Sequence, residues 1–146
     1  MTRNTFVRLA DDTAATTALE FGIIGNVLVI LLFAGLEIAF MIWTQATLQL
    51  VADQTARCAA VVAPSCNSIA NTQAYAVTEA SSHLWPNAIS TSNVSVTQIT
   101  PPTYCENDNT GYYWVITINW SYWSGKIKYP LTANAQQTVT SCYRYQ

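Results

Sequence analysis

Residues 21–43, FGIIGNVLVILLFAGLEIAFMIW, constrain this chain more than any other stretch. The run is 23 residues long and holds one carboxylate, Glu37, and one amide, Asn26. As an α-helix it is about 35 Å long, enough to cross a hydrocarbon core of about 30 Å with some tilt. Lipid offers no partners to backbone N–H and C=O groups, so a lone spanning segment must be helical. A buried core helix is usually shorter and amphipathic. A cleaved secretory signal has an apolar region of about 7–15 residues followed by a small-residue cut site. Here the run is longer, and a helical pattern continues out of it. The stretch reads as a transmembrane helix with the lipid bilayer as its first partner.

About 123 of the 146 residues lie outside this span, room for one modest exported domain and a short tail. Only 10% of residues are charged and the net charge is −2. No basic patch appears, so nucleic acid is not among the expected partners. All four cysteines, Cys58, Cys66, Cys105 and Cys142, come after the span. An even count on one side of a membrane points to two disulfides in an oxidising compartment. The intervals of 7, 38 and 36 residues between them match no paired CxxC zinc pattern, so neither a metal nor a cofactor is expected. Three pairings are possible. Proximity favours Cys58–Cys66, which leaves Cys105–Cys142, both flanking strands in the last third. Arg3 and Arg8 precede the span, and the next basic residue is Arg57. The bias is weakly positive-inside and places the N-terminus in the cytoplasm.

Met1–Leu19 is polar and lacks apolar periodicity, so it is expected to be a mobile tail, with Asp12 or Thr13 capping the helix after it. Beyond Trp43, TQATLQLVADQTARCAAVVA has no Gly or Pro until Pro64. Its Ala, Leu and Gln residues favour helix, and Asp53 and Arg57 stand at i, i+4. One helix is therefore expected from about Ala14 to Val62, its outer part a stalk with Leu50, Val51, Cys58 and Val61 on the covered side. Ser68–Leu84 reads as a second helix, with Ile69, Ala76, Val77, Ala80 and Leu84 near one face. Strands are expected over Asn93–Thr100, Tyr112–Trp123 and Thr138–Tyr145. Ser124-Gly125 signals a hairpin, and Ile127, Tyr129 and Leu131 alternate with Lys126 and Lys128. Tyr112, Trp114, Ile116, Ile118, Trp120 and Tyr122 fall on one face of a strand and need a cover, which the stalk can supply. The fold class expected is α+β: a long N-terminal transmembrane and stalk helix packed on a small antiparallel sheet. The expected division is a cytoplasmic leader or tail (1–15), helix and stalk (16–62) and an exported α+β domain (63–146).

Ala18-Leu19-Glu20-Phe21, the apolar run, Gly35-Leu36-Glu37 and the stalk TLQLVADQTARCAAV together resemble the TadE-like pseudopilins of tight-adherence pili. The outer region, with Cys58 and Cys66, then Ile69–Ala76, and with Pro101–Cys105 before a strand, is also similar to theirs. The resemblance covers about Thr17–Ala76 well and the remainder loosely. It implies a type IV pilin-like fold and a minor pilin or assembly factor of the bacterial inner membrane, without catalysis. Its partners would be other pilins and pseudopilins, the pilus assembly platform and a prepilin peptidase. Counting back from Glu20, the implied processing site lies between Ala15 and Thr16, although such peptidases generally cut after Gly.

For Glu20, the resemblance implies pairing with a neighbouring subunit's N-terminal amine, with Phe21 beside it at the subunit contact. By itself a carboxylate near a helix N-terminus gains only about 0.3–1 kcal/mol from the dipole. Glu37 stands inside the span, where a charge costs about 2.5–3.5 kcal/mol. It reaches headgroups near Trp43, is protonated, or faces another helix. His83, the only histidine, is at i, i+4 from Glu79, and no nucleophile is marked beside it, so no catalytic residue is expected. A tethered binding module with an aromatic sheet surface, outside any filament, is the competing reading.

Overall fold

The computed structural model describes residues 13–86, 88–101, 105, 108, 110–121 and 136–145. The sequence-based readings of Arg3, Arg8, Asp12, Tyr122, the Ser124-Gly125 hairpin and the Ile127/Tyr129/Leu131 alternation lie outside these residues. The elements in order are helix α1 (Thr13–Ala60), a 3-10 turn (Pro64–Cys66), helix α2 (Ile69–His83), a second 3-10 turn (Thr91–Asn93), and strands β1 (Val94–Ile99), β2 (Tyr112–Ser121) and β3 (Gln136–Tyr145). The architecture is α+β, with a long apolar N-terminal helix and a three-stranded antiparallel sheet. The chain divides into two compact units, one ending at Phe40 and the other running from Met41 to Gln146.

In the first unit α1 is apolar all round, and its side chains from Leu19 to Phe40 are exposed or half-exposed. No 3.6-residue stripe separates an apolar from a polar side.

In the second unit the strands run as a meander in the order β1-β2-β3. Val94 pairs with Ile118, and Ile118 with Val139. Val96 pairs with Ile116, and Ile116 with Ser141. Because side chains alternate along a strand, these residues share one face with Trp114 and Trp120. That face meets Leu48, Val51, Ala52 and Ala56 of α1, Ala76 and Ala80 of α2, and Ile89 in one buried cluster. The helical contributions are mostly small, which lets backbone lie close to the sheet. Thr44, Thr55 and Thr72 are buried among them. The Thr55 hydroxyl donates to Val51 O at 2.7 Å and the Thr72 hydroxyl to Ser68 O at 2.9 Å, so neither loses a partner on burial.

Two side chains reach across elements to backbone. Gln49 Nε2 donates to Thr140 O (3.3 Å), and Gln73 Nε2 donates to Val94 O (2.8 Å). Both edge strands thus have an outer carbonyl satisfied by a helix.

Three expected faces differ in detail. On α1, Leu50 is 44% exposed and Val61 is exposed, while Leu48 and Thr55 are buried. The covered stripe runs through 44, 48, 51, 55 and 59 at helical spacing, which leaves position 50 on the far side. On α2, Ile69 is 53% exposed and Thr72 takes the buried place, because 72, 76 and 80 repeat at i, i+4. On β2, Tyr112 is 51% exposed although it shares the core face, while Tyr113 on the opposite face is buried. Gly111 lies against the Tyr113 ring, and the Tyr113 hydroxyl donates to Asp108.

The end of α1 is a tight αL turn. Val62 N donates to Ala59 O (3.2 Å) and Ala63 N to Cys58 O (3.3 Å). This is the Schellman pattern, with Val62 at φ 50° in the position glycine usually fills. A β-branched residue is strained there. Cys58, whose carbonyl closes the turn, is joined to Cys66 eight residues on. Ser68 then caps α2, its hydroxyl accepting from Asn71 N at 3.2 Å. Leu84 N donates to Ala80 O at the other end, so α2 stops short of Pro86.

Candidate functional site: the apolar helix and the disulfide-pinned sheet

Ala15 and Thr16 fall within α1, and their side chains lie outside the described residues. Glu20 and Phe21 are exposed on the same helix, Phe21 at 77%. Glu37 is half-exposed, 17 residues beyond Glu20. At 1.5 Å and 100° per residue the two carboxylates stand about 25 Å apart on different sides of the helix, so the fold does not bring them together. None of the most apolar window of this helix is buried within the protein, and by length and composition α1 is a candidate membrane span. A core helix of a soluble protein would be mostly covered. Here the covered residues begin at Thr44, past the apolar run.

The second disulfide joins Cys105 to Cys142, with the Cα atoms 6.4 Å apart. Cys142 stands opposite Val115 on the outer face of the sheet, away from the α1 contact. Cys105 exchanges two backbone hydrogen bonds with Asp108, at 3.0 and 2.9 Å, which makes a tight turn. Asp108 holds this turn to the start of β2. Its Oδ1 accepts from Thr110 N (2.8 Å) and from the Thr110 hydroxyl (2.7 Å). Its Oδ2 accepts from the Tyr113 hydroxyl and lies 4.0 Å from Arg144. These donors, the Tyr113 hydroxyl first, hold the Asp108 carboxyl down at about 2. Gly111 passes so close that an added Cβ would lie 2.8 Å from the Tyr113 ring. Glycine is needed there for space. Asp108 and Gly111 thus lie against Tyr113 next to the disulfide, which accounts for its burial. Sequence patterning places Tyr113 on the solvent side. The one local signal is Asp108-Asn109-Thr110, an Asx-turn composition.

At the same end of the sheet, but on the core-side face, aromatic rings remain partly uncovered. Tyr112 and Tyr145 stand with ring centroids 6.0 Å apart, and Trp114 and Tyr145 at 6.1 Å. Tyr143, opposite Trp114, is exposed as well. His83 Nε2 lies 3.9 Å from Glu79 Oε2 on the exposed side of α2, as a surface i, i+4 pair. Among the described residues no three of His, Cys, Asp and Glu gather as a metal site would require.

These features define a class: an α+β protein in which one uncovered apolar helix, a candidate membrane span, leads into a small disulfide-bonded antiparallel sheet. The particular relationship comes from its first half. Residues 15–57 match the family model described as TadE-like protein, and the match supports a TadE-like protein. It takes in the implied processing site, the whole apolar run and most of the stalk, and ends at Arg57, just before Cys58. No curated protein and no solved structure matches the chain.

Proposed function

We propose that this chain is a minor pseudopilin or assembly component of a tight-adherence type IV pilus, anchored in the bacterial inner membrane by a single span. The match over residues 15–57 carries the reading, because it falls on the segment by which such a protein would insert and meet its neighbours. The two disulfides support an oxidising compartment for the unit from Met41 onward. Together with Arg3 and Arg8 they favour a cytoplasmic N-terminus and an exported C-terminal domain. The role is structural, with no catalysis. The partners are the bilayer, other pilins or pseudopilins, the assembly platform and, if Ala15–Thr16 is cut, a prepilin peptidase.

In this reading Glu20 sets axial register. Apolar helices slide past one another in lipid with little preference, so a buried polar pairing supplies the stop. Glu20 would pair with the new Thr16 amine after cleavage, or with a basic residue otherwise, with Phe21 alongside. The test is Glu20→Ala in a strain lacking the native gene. Insertion should persist, because the apolar area of Phe21–Trp43 far outweighs one interfacial charge. Piliation, counted by electron microscopy, should disappear. Normal piliation would remove the assembly role. Intact mass gives a second check, since loss of Met1–Ala15 marks processing.

The exposed Tyr112 and Tyr143 rings favour one alternative, a tethered binding module whose aromatic surface engages a glycan or another envelope protein. Unchanged piliation on deletion of the gene, with a glycan-binding defect in Tyr112→Ala, would favour it.

A further inference from the structure

Asn26 and Glu37 are the only amide and the only charged group between Phe21 and Trp43. They stand 11 residues apart, about 17 Å along α1 and only about 20° apart around it, so both lie on one helix face. Measured from the middle of the span at Leu32, Asn26 is about 9 Å to one side and Glu37 about 8 Å to the other. Both therefore fall inside a hydrocarbon half-thickness of about 15 Å. Ile30 and Phe33 fill the face between them, and Gly22 continues it one turn before Asn26, which allows a neighbouring backbone to come close.

A carboxylate at this depth calls for a partner, and the chain's own six basic residues all lie outside the span. Arg57, the next along α1, is 20 residues from Glu37, about 30 Å away. A second copy in register would set Glu37 against Glu37, two carboxyls that repel when charged and at most share a proton, so neither supplies the other with a cation. A second copy shifted to bring Asn26 to Glu37 must slide by about 17 Å, more than half the bilayer.

We infer that the Gly22/Asn26/Phe33/Glu37 face of α1 docks a transmembrane helix of a different protein, one that presents a lysine or arginine at the depth of Glu37. Asn26 donates and accepts hydrogen bonds at the other end of the same contact. The inference rests on the reading of α1 as a membrane span and adds the chemistry of its neighbour.

The full chain is expressed in its native membranes with a photoreactive side chain at Ile30 or Phe33, on this face, or at Leu28 or Leu31, on the far side. All four positions are exposed within the protein, so self-burial does not bias labelling. Ile30 and Phe33 should give an adduct whose cross-linked peptide carries a Lys or Arg within an apolar run, and Leu28 and Leu31 should not. Glu37→Lys should lower the yield at least about tenfold, which is about 1.4 kcal/mol, and Lys→Glu in the captured helix should restore it. An adduct with a differently tagged second copy, equal labelling of both faces, labelling of lipid alone, or a yield indifferent to Glu37→Lys would each overturn the inference. Alkaline extraction separates this from failure of the membrane reading. If the wild-type chain is released, the span itself is wrong; if it stays and no face-specific adduct forms, only the neighbour is wrong.

Discussion

Leu48→Ala tests whether the stalk half of α1 is part of the core of the Met41–Gln146 unit. Leu48 is fully buried and shares a cluster with Val51, Ala52 and Ala56 on its own helix and with Ile116, Ile118 and Val139 from the sheet. Its loss removes the transfer free energy of the side chain and leaves a cavity, for a total of about 2–5 kcal/mol. A unit of this size is stable by about 5–15 kcal/mol, so one substitution takes a large share of the whole. A loss of about 3 kcal/mol corresponds to a fall in Tm of roughly 12–24 °C. Leu50→Ala is the control. Leu50 sits two residues away on the same helix but largely in solvent, and its truncation should cost less than about 1 kcal/mol. Both variants would be unfolded in urea as full chains in detergent micelles, with Trp120 and Trp114 fluorescence as the signal. Equal costs, both below about 1 kcal/mol, would refute a core shared between stalk and sheet.

Val62→Gly should raise stability by about 1 kcal/mol in the same assay, because glycine relieves the left-handed position that ends α1 and Val62, 66% exposed, gives up little burial. Loss of the Cys105–Cys142 bridge should cost about 4 kcal/mol and loss of Cys58–Cys66 about 2.5 kcal/mol, since the longer loop restricts the unfolded chain more; serine replacements of each pair, compared by urea unfolding, would check the order. Asp108 makes the sheet's outer turn acid-sensitive. Its carboxyl is held below the usual value of 3.8, at about 2, so its contribution is fully present above about pH 4 and is lost as pH falls toward 2. The difference in Tm between wild type and Asp108→Asn should be constant from about pH 7 to 4 and should shrink below that; a gap that persists unchanged to about pH 2 would contradict the assignment.

Two features were legible in the sequence because they depend on local chemistry alone. Residues 21–43 are long, apolar and without proline, and in lipid a lone apolar span must be helical whatever surrounds it. Alternation in Tyr112–Ser121 dictates a strand with Ile116, Ile118 and Trp120 on one side. The TadE-like resemblance also lay in local order, and the family match falls on the same segment. Tertiary structure decided which of the apolar residues are covered. Leu48 and Leu50 are the same residue two positions apart, and only the direction of the sheet separates a core residue from an exposed one. Ile69 yields its buried place to Thr72, which stands in line with Ala76 and Ala80 under the sheet, and the Thr72 hydroxyl keeps carbonyl partners at Ser68 and Cys66 there. Tyr113 is buried on the outer face where Asp108 and Gly111 meet it, close to the Cys105–Cys142 bond, a contact between residues 37 apart that no pattern of period two or 3.6 encodes. Patterning reads what a residue prefers; burial depends on which distant segment arrives to cover it, and that is settled only when the chain closes on itself.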